Sequence, residues 1–527
     1  MLSSLSPSRL VVGLLTGFVL LTGCTSEKIV FRDREPFNPP PDQANGFLGY
    51  FDASTKQTTC GNCHVGHQRD WATSGHSGAF ETLASSPGAK SYCYTCHTVS
   101  DKGNLVAAPA GYDVVKDAAY HDVQCENCHG PGLNHVEAPD APGNQPLAHL
   151  AVLGTDSAAS CAACHSGSHN PFVEEWSQSG HANSLQETPG VYVAAVSPTC
   201  APCHEGRAAI ATWGSTANYV EKTQPGTSAF LGVTCAVCHD PHGSANPKQL
   251  RYPLNDVSFA NNLCMKCHSR RYEPVANSSR GPHAPQGAVL TGTAGWWPAG
   301  YDTTAIVATH GNPAVNPRLC AGCHVNKYSH LDTLTNTTTF STGHLFRPVP
   351  CLDANGTPEA DDTCNFDTTA RTWQSCTNSG CHSSQAAAVS AFNANRSIVA
   401  TLSDQIWVDN PAGAPSTIGV PDAGDQGLLS LIPTTEYNTD DNLITVAEGV
   451  LFNVRLVADD RDANGDRSHG VHNPFLAQSL LTASIQALNA TYGPFPAPPA
   501  RVKALMDDVN QRILRSRTQR PTAVSSR

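Results

Sequence analysis

The sequence is poor in methionine, in charged residues and in long hydrophobic runs. Three of the 527 residues are methionine, and 14% are charged, against about 25% in typical domains. No run of about 18 apolar residues occurs, so no membrane-spanning helix is predicted. The formal net charge of −12 argues against a nucleic-acid-binding protein, which needs a basic face for phosphates. A hydrophobic content of 40% still allows a folded core.

The N-terminus has the pattern of an export signal. Arg9 precedes an apolar run over residues 10–21, which is too short to span a bilayer. The string Leu-Thr-Gly-Cys that ends at Cys24 resembles a bacterial lipoprotein signal. We therefore expect residues 1–23 to be a signal peptide and Cys24 to carry lipid as the first mature residue. The alternative is an ordinary secretory signal with an incidental cysteine. Residues 24–58 are interpreted as the lipidated N-terminus and a tether, part of which can pack on the body.

Cysteine and histidine are abundant, with 21 and 23 residues. The pattern Cys-x-x-Cys-His occurs eight times, beginning at residues 60, 93, 125, 161, 200, 235, 264 and 320. It is typical of c-type haem attachment, in which two thiols bond one haem and the next histidine binds its iron. A wider ninth motif runs from Cys376 through Cys381 to His382. We interpret it as a ninth haem site, and a disulfide between its two cysteines is the alternative. Zinc also binds Cys-x-x-Cys pairs, but zinc does not require a histidine after every second cysteine.

The motifs assign most of the cysteines. The predicted haem-attachment residues are Cys60, Cys63, Cys93, Cys96, Cys125, Cys128, Cys161, Cys164, Cys200, Cys203, Cys235, Cys238, Cys264, Cys267, Cys320, Cys323, Cys376 and Cys381. The predicted proximal iron ligands are His64, His97, His129, His165, His204, His239, His268, His324 and His382. Apart from Cys24, only Cys351 and Cys364 remain. In an oxidising compartment we expect these two to form a disulfide.

Each iron needs a second axial ligand if every site is a closed electron carrier. Methionine is nearly absent, so these distal ligands must be almost wholly histidine, and bis-histidine haems have low reduction potentials. WATSGH (71–76) and WSQSGH (176–181) repeat one pattern that ends in histidine, and STGH (341–344) shares its ending. The predicted distal ligands are His76, His135, His169, His181, His242, His283, His310, His344 and His472. The remaining histidines, interpreted as solvated or hydrogen-bonded, are His67, His121, His149, His330 and His469.

The spacing of the motifs leaves too little chain per haem for ordinary protein cores, so the haems are expected to form much of the interior. The predicted fold is mainly α with extensive coil, with a nine-haem region at 59–385 and a helical C-terminal region at 386–527. Helices are predicted at 386–407, 446–459, 473–489 and 498–517. We expect the C-terminal region to supply His472 as a distal ligand. The alternative is an independent helical domain without haem contact.

One weaker pattern lies in the C-terminal region. Residues 460–468 read Asp-x-Asp-x-Asn-Gly-Asp-x-Ser, which resembles the first part of a calcium loop. The position for the bidentate glutamate is occupied by Val471. Calcium is therefore a secondary cofactor hypothesis, with a solvated acidic turn as the alternative.

The Leu-Thr-Gly-Cys string and the strings VQCENCHGPGLNH, CHSGSHNPFVEEWSQSGH, CAVCHDPHG and SHGVHNP resemble multihaem c-type cytochromes of outer-membrane electron transfer in metal-respiring bacteria. The resemblance implies a loop-rich helical fold organised by a continuous haem chain. It also implies an outer-membrane lipoprotein at the cell surface or the periplasmic face. Implied partners are other cytochromes, a porin–cytochrome complex and an extracellular metal or mineral acceptor.

Two other functions stay open at this point. A multihaem reductase of the nitrite or hydroxylamine class needs one haem with an open coordination position. Its catalytic haem often carries lysine in place of the motif histidine, and no Cys-x-x-Cys-Lys occurs here, so an electron carrier is favoured over an enzyme. A subunit of a conducting cytochrome filament is the third interpretation, although a lipid anchor fits a surface-bound unit better.

Overall fold

The computed structural model describes residues 38–148, 160–167, 171–185, 197–214, 231–278, 280–303, 306, 309–332, 334–359, 364, 369–377, 381–408, 421, 424–437, 441–458 and 464–519. The predicted signal peptide, Cys24, His149 and His169 lie outside these residues. The chain from Pro41 onward belongs to one structural unit, and the residues before it belong to another.

The described part of the chain is mainly helical with much coil, which confirms the predicted fold class. Its α-helices are α1 (Val65–Trp71), α2 (Ala79–Ala84), α3 (Tyr94–His97), α4 (Cys125–His129), α5 (Leu133–Glu137), α6 (Phe172–Ser177), α7 (Ala201–His204), α8 (Gly206–Trp213), α9 (Cys235–Cys238), α10 (Gln286–Thr291), α11 (Cys320–His324), α12 (Gln374–Thr377), α13 (Gln385–Ile406), α14 (Val446–Val457), α15 (Pro474–Tyr492) and α16 (Ala500–Gln519). Antiparallel pairs join β1 (Tyr50–Asp52) to β2 (Gln57–Thr58), β3 (Tyr328–Asp332) to β4 (Thr337–Ser341), and β5 (Cys351–Leu352) to β6 (Pro358–Glu359).

Helices in the motif-rich part are short because local side-chain bonds and glycines begin and end them within one or two turns. Helix α4 is an example. The backbone N–H of Gln124 donates to the Asn127 side chain (2.9 Å), which caps the first turn. The helix ends at Gly130, whose φ of 79° favours glycine. One such turn is enough to present both cysteines and the histidine of the motif.

The four helices predicted for the C-terminal region are confirmed as α13 to α16. Local signals set their N-termini. The Thr445 hydroxyl accepts the Glu448 N–H at the start of α14, and the Asn473 side chain accepts the Leu476 N–H at the start of α15. Helices α13, α14 and α15 bury one continuous apolar cluster that includes Leu402, Val450, Val454, Leu476, Leu480 and Leu481. This region therefore has an ordinary protein core.

The segment at 42–58 belongs to the folded body, which shortens the predicted tether of residues 24–58. Phe47 is fully buried and packs with Val99, Ala110 and Tyr120. The backbone N–H groups of this segment also bond to a side chain from α4, as described below. Hydrophobic burial thus outweighs the irregular composition that suggested a tether.

Two further features bear on the predictions. Cys351 and Cys364 are joined by a disulfide in the structure, and Cys351 lies on β5. Within the described ranges, none of the helices combines the length and the hydrophobicity needed to cross a bilayer.

Candidate functional site

The nine motifs are called sites 1 to 9 in chain order. They occupy residues 60–64, 93–97, 125–129, 161–165, 200–204, 235–239, 264–268, 320–324 and 376–382. A single cavity of about 3540 Å³ is lined by both cysteines and the histidine of every site from 4 to 9. Pockets for typical small ligands measure about 300–1,000 Å³. A cavity of this size and lining fits several large, thioether-bonded cofactors.

The spacing of histidine rings provides a sharper test. Two imidazoles that bind one metal ion from opposite sides, with metal–nitrogen bonds of about 2.0–2.1 Å, place their ring centres about 6.3 Å apart. Eight proximal histidines have a predicted distal histidine at 6.0–6.5 Å. In site order the pairs are His64–His135, His129–His242, His165–His76, His204–His283, His239–His344, His268–His181, His324–His472 and His382–His310. This spacing fits haem iron between the rings.

Site 1 has a second ring at a similar distance. His67 lies 6.3 Å from His64, three residues further along the chain, while His135 lies at 6.4 Å. His67 also stacks on His242 at 4.3 Å, which is too close for the two rings to face one metal ion. The predicted distal set contains His135, which pairs with site 1, and His242, which pairs with site 3. His67 is not in that set and lies beside His242.

At site 2 the proximal histidine is His97, and its Nδ1 bonds to the Ala79 carbonyl (2.9 Å). Within the part of the chain that the structure describes, it has no histidine partner at the spacing seen elsewhere. His169, the one predicted distal ligand not used by the eight pairs, lies outside that part.

The other non-motif histidines have aromatic neighbours. His121 stacks on Phe80 with ring centres 3.4 Å apart, and His469 meets Phe392 edge-on at 5.8 Å. His330 lies on β3, with its ring 6.4 Å from that of Tyr328. The interpretation of these three residues as non-ligands stays a prediction, and His149 lies outside the described residues.

Burial keeps several of the paired rings neutral. Burial together with the partner ring lowers the pKa of His181 to about 3 and those of His76 and His324 to about 4. Metal binding requires a neutral imidazole. These rings are therefore ready to bind a metal ion at physiological pH.

Hydrogen bonds at Nδ1 fix the orientation of many of these rings, because an N–H at Nδ1 leaves Nε2 free to bind metal. The acceptors are backbone carbonyls for His97, His129, His204, His239, His310 and His324. For His268 the acceptor is the Gln286 side chain at 3.4 Å, and for His472 it is the carboxylate of Asp466 at 2.7 Å.

Neighbouring sites approach one another through their cysteines. Thiols lie close enough to shift each other's pKa between sites 1 and 3, 2 and 4, 4 and 6, 5 and 7, and 7 and 8. Thiols interact electrostatically between sites 3 and 4, 6 and 7, and 8 and 9. The histidines give the same neighbours, since His165 interacts with rings of sites 2 and 6, and His268 with rings of sites 5 and 8. The sites thus form a line 1–3–4–6–7–8–9, with site 2 beside site 4 and site 5 beside site 7.

The two WxxSGH strings form equivalent contacts. The indole N–H of Trp71 donates to the Val123 carbonyl, and that of Trp176 donates to the Val233 carbonyl, both at 2.9 Å. Each valine lies two residues before a motif, and its N–H donates to the carbonyl of the histidine that ends the string (3.2 and 2.9 Å). Sites 2–4 and sites 5–7 therefore repeat one arrangement, with the WxxSGH histidine paired to the last site of each set.

Cations surround the cavity although the whole chain is anionic. The positively charged lining residues are Arg69, Lys102, Lys248, Lys266, Arg270, Arg271, Arg280, Arg318, Lys327, Arg347, Arg371 and Arg467. The lining carboxylates are Asp70, Asp240 and Asp466. Haem carries two propionates, so this positive excess suits the cofactor. Sequence reasoning did not single out these cations, because single Lys and Arg residues spread over the chain give no local pattern.

Two buried carboxylates that the sequence analysis also missed support the sites. Glu175 of α6 accepts hydrogen bonds from the Thr342 N–H, the Thr342 hydroxyl and the His344 N–H, each at 2.7 Å. Glu126 of α4 accepts N–H bonds from Leu48, Gly49 and Gly132. Burial raises the pKa of Glu126 to about 7, while these donors act in the opposite direction. Only long-range contacts reveal either role.

The calcium hypothesis gains no support from the described residues. They contain no group of three or more His, Cys, Asp or Glu side chains placed to hold a metal ion. Asp460 and Asp462 lie outside them. Asp466 instead bonds to His472 and accepts a bond from the Ser468 hydroxyl.

Three family models match parts of the chain. Residues 229–272 match the doubled CXXCH motif. Residues 145–250 match outer membrane cytochrome MtrC/MtrF-like, domains II/IV. Residues 59–130 match cytochrome c554 and c-prime.

Two relatives have similar sequences. The multiheme cytochrome MtrA of Shewanella baltica is 26% identical over 202 residues, which is 36% of this chain and 55% of that protein. The C-type polyheme cytochrome OmcB of Geobacter sulfurreducens is 25% identical over 310 residues, which is 52% of this chain and 37% of that protein. The chain thus spans about half or less of the length of these curated relatives. No solved structure matches. The motifs and these matches identify the chain as a multihaem c-type cytochrome that is similar in part to MtrA, OmcB and the MtrC/MtrF-like outer membrane cytochromes.

Proposed function

We propose that this cytochrome carries electrons along nine bis-histidine c-type haems, between site 1 at one end and site 9 at the other. The observation that carries the proposal is the set of eight proximal–distal histidine pairs at 6.0–6.5 Å. When bound, each haem supplies a one-electron iron couple. The protein supplies covalent attachment, two axial imidazoles and a fixed distance to the next site.

The succession of neighbouring sites supports a continuous path. Interactions between thiols link every step of the line 1–3–4–6–7–8–9. Sites 2 and 5 are branches, attached through Cys96–Cys164 and Cys203–Cys267. Electron tunnelling rates fall exponentially with distance, so adjacent sites exchange electrons fastest. We infer that electrons move along the line and that the branches give additional entry or exit points.

The location and the partners are further parts of the proposal. The LTGC string supports a lipid anchor at Cys24, and one matched family model is named for outer membrane cytochromes. We propose an outer-membrane lipoprotein that passes electrons to or from other cytochromes or a porin–cytochrome complex, toward an extracellular metal or mineral. The net charge of −12 favours encounter with cationic or metal-bearing partners. Surface proteolysis of intact cells tests the location.

The first prediction concerns haem number and coordination. We expect nine haems per chain by pyridine haemochrome assay and intact mass, all low-spin bis-histidine by EPR and near-infrared magnetic circular dichroism. The physical reason is that the chain has enough histidines to close every iron, provided that His169 serves His97 at site 2. The variant His169→Ala is therefore expected to convert one haem to the high-spin form, and His67→Ala is expected to convert none.

Other outcomes would favour the alternatives. A count of eight that is unchanged in the double variant C376A/C381A would mean that site 9 binds no haem. A high-spin haem at full occupancy in the unmodified protein would contradict the closed-carrier proposal and favour a reductase, to be tested with nitrite and hydroxylamine. Regular polymers in electron micrographs would favour a filament subunit.

The second prediction concerns Glu175. The variant Glu175→Ala removes the acceptor of three hydrogen bonds that hold the 342–344 loop, at a cost of about 2–3 kcal/mol. We expect His344 to leave the iron of site 6 in a measurable fraction of molecules, seen as a new high-spin EPR signal. Glu137→Ala, an exposed glutamate at the end of α5, is the matched control. An unchanged spectrum in Glu175→Ala would show that the loop is held without this carboxylate.

A further inference from the structure

Asp466 forms a hydrogen bond with His472, the distal ligand proposed for site 8. The proposed function gives this carboxylate no role. The Asp466 carboxylate is fully buried, and Oδ1 accepts a hydrogen bond from Nδ1 of His472 at 2.7 Å. The Ser468 hydroxyl donates to the second oxygen, Oδ2, and the same hydroxyl accepts the His472 backbone N–H at 3.2 Å. The backbone N–H of Asp466 donates to the Leu456 carbonyl at the end of α14 (2.8 Å). The carboxylate is thus held rigidly against the imidazole.

This arrangement differs from the other sites with a defined Nδ1 bond. Among the described residues, the Nδ1 atoms of ligand rings in sites 2, 3, 5, 6, 7 and 9 bond to neutral carbonyl, amide or hydroxyl oxygens. The Nδ1 atom of His324, the proximal histidine of site 8, also bonds to a neutral carbonyl oxygen. A second carboxylate, Asp240, lies near His242, but at 3.8 Å it is beyond hydrogen-bond distance. Asp240 is also paired with Arg251 at 2.8 Å. Its charge is therefore offset, whereas that of Asp466 acts directly on the ligand.

We propose that Asp466 is a positioning residue that lowers the reduction potential of site 8. The inference rests on the proposed function, because it requires His324 and His472 to bind the iron of that site. A carboxylate that accepts the Nδ1 hydrogen bond makes the imidazole a stronger electron donor, which stabilises oxidised iron. Its negative charge in a buried site acts in the same direction.

The place of site 8 in the line gives this effect a consequence. Site 8 lies between site 7 and site 9, and it is the site that the C-terminal helical region completes. Lowering its potential makes electron transfer onto site 8 less favourable from either side. Asp466 thereby limits the rate of passage between site 9 and the rest of the line.

The test is a redox titration of the full-length haem-loaded protein and of the variant Asp466→Asn, which keeps the size of the side chain and removes its charge. We expect one haem to shift to a higher potential by about 59 mV, equivalent to a tenfold change in its oxidised-to-reduced ratio and at the lower end of typical outer-shell effects. The EPR g-values of that haem should shift toward those of a haem whose imidazole ligand donates electrons less strongly. The haem count should stay the same.

The reciprocal variant Gln286→Glu places a carboxylate opposite Nδ1 of His268 at site 7, where the present acceptor is an amide oxygen at 3.4 Å. We expect the potential of one haem to fall in this variant. It tests the same effect at site 7 if Asp466→Asn loses haem or fails to fold. The Gln286 side-chain N–H also donates to the Gly465 carbonyl (3.2 Å), so the haem count of this variant is measured as its control. No shift in a haem-replete Asp466→Asn, or no fall in Gln286→Glu, would overturn the inference.

The variant His472→Ala separates the two proposals. If it leaves every haem low-spin with unchanged g-values, His472 is not a ligand and the proposed coordination of site 8 fails. If it creates one high-spin haem while Asp466→Asn shifts no potential, the coordination stands and only the role of Asp466 fails.

Discussion

Removing the haem of site 4 with the variant C161A/C164A is expected to slow electron passage between site 1 and site 9 by at least an order of magnitude. Site 4 joins three neighbours: Cys164 contacts Cys96 of site 2, and Cys161 approaches both Cys128 of site 3 and Cys235 of site 6. Every route along the line crosses it. Its loss leaves a gap of a whole site, and tunnelling rates fall exponentially with such a distance.

The measurement uses flash photoreduction. A photosensitiser is attached through Ala53→Cys, an exposed position in the turn between β1 and β2, shortly before site 1 in the chain. His310→Met raises the potential of site 9, which makes it the electron acceptor and gives it a distinct near-infrared band. The rate at which this band disappears reports passage along the line.

The matched control is C200A/C203A, which removes one haem from the branch at site 5. It is expected to leave the rate within about a factor of two of the parent, since the thiol interaction that joins site 5 to the line, among the described residues, is the one with site 7. A second variant is used if the double cysteine variant does not fold. His76→Met keeps the haem of site 4 and raises its reduction potential, so electrons should be held at site 4. Equal slowing by the site 4 and site 5 variants would contradict the proposed order of sites.

Glu126→Ala is expected to release the 42–58 segment from the body. Three backbone N–H groups donate to this fully buried carboxylate: Leu48 bonds to both oxygens at 2.9–3.0 Å, and Gly49 and Gly132 bond at 2.8 Å. Alanine leaves all three without an acceptor in a buried place, at a cost of about 3 kcal/mol or more. Phe47 and its apolar neighbours would then be the main contacts that remain.

Hydrogen exchange measures this effect directly. The amides of residues 47–49 are expected to exchange about a hundredfold faster in Glu126→Ala. Glu126→Gln keeps the shape and one acceptor oxygen, so an intermediate effect is expected. Glu137→Ala, an exposed glutamate at the end of α5, should change nothing. Unchanged exchange in Glu126→Ala would show that hydrophobic packing alone holds the segment.

The sequence predicted much of the fold because local signals are strong in two places. In the C-terminal region, apolar periodicity together with Thr445 and Asn473 at helix N-termini predicted α13 to α16 to within a few residues. In the motif-rich region, glycines and prolines predicted short helices and coil. Which part of the predicted tether packs on the body was not predictable, because the burial of Phe47 depends on residues far along the chain.

The candidate distal ligands were also identified from local strings. All eight of the predicted distal histidines that the structure describes lie 6.0–6.5 Å from a proximal histidine. Their partners were not predictable. His76 pairs with the histidine of site 4, and His242 pairs with that of site 3, so a ligand can lie before or after its own site in the chain.

What the sequence determined by itself is the chemistry. Nine cysteine pairs followed by histidine, a scarcity of methionine and a surplus of histidine are local facts that specify covalent haem and the type of axial ligand. Tertiary structure alone decided which histidines face each other, which sites are neighbours and which carboxylates, such as Glu126, Glu175 and Asp466, hold them. The reason is physical: these relations join residues that are distant in sequence, and no local pattern encodes the distance between them.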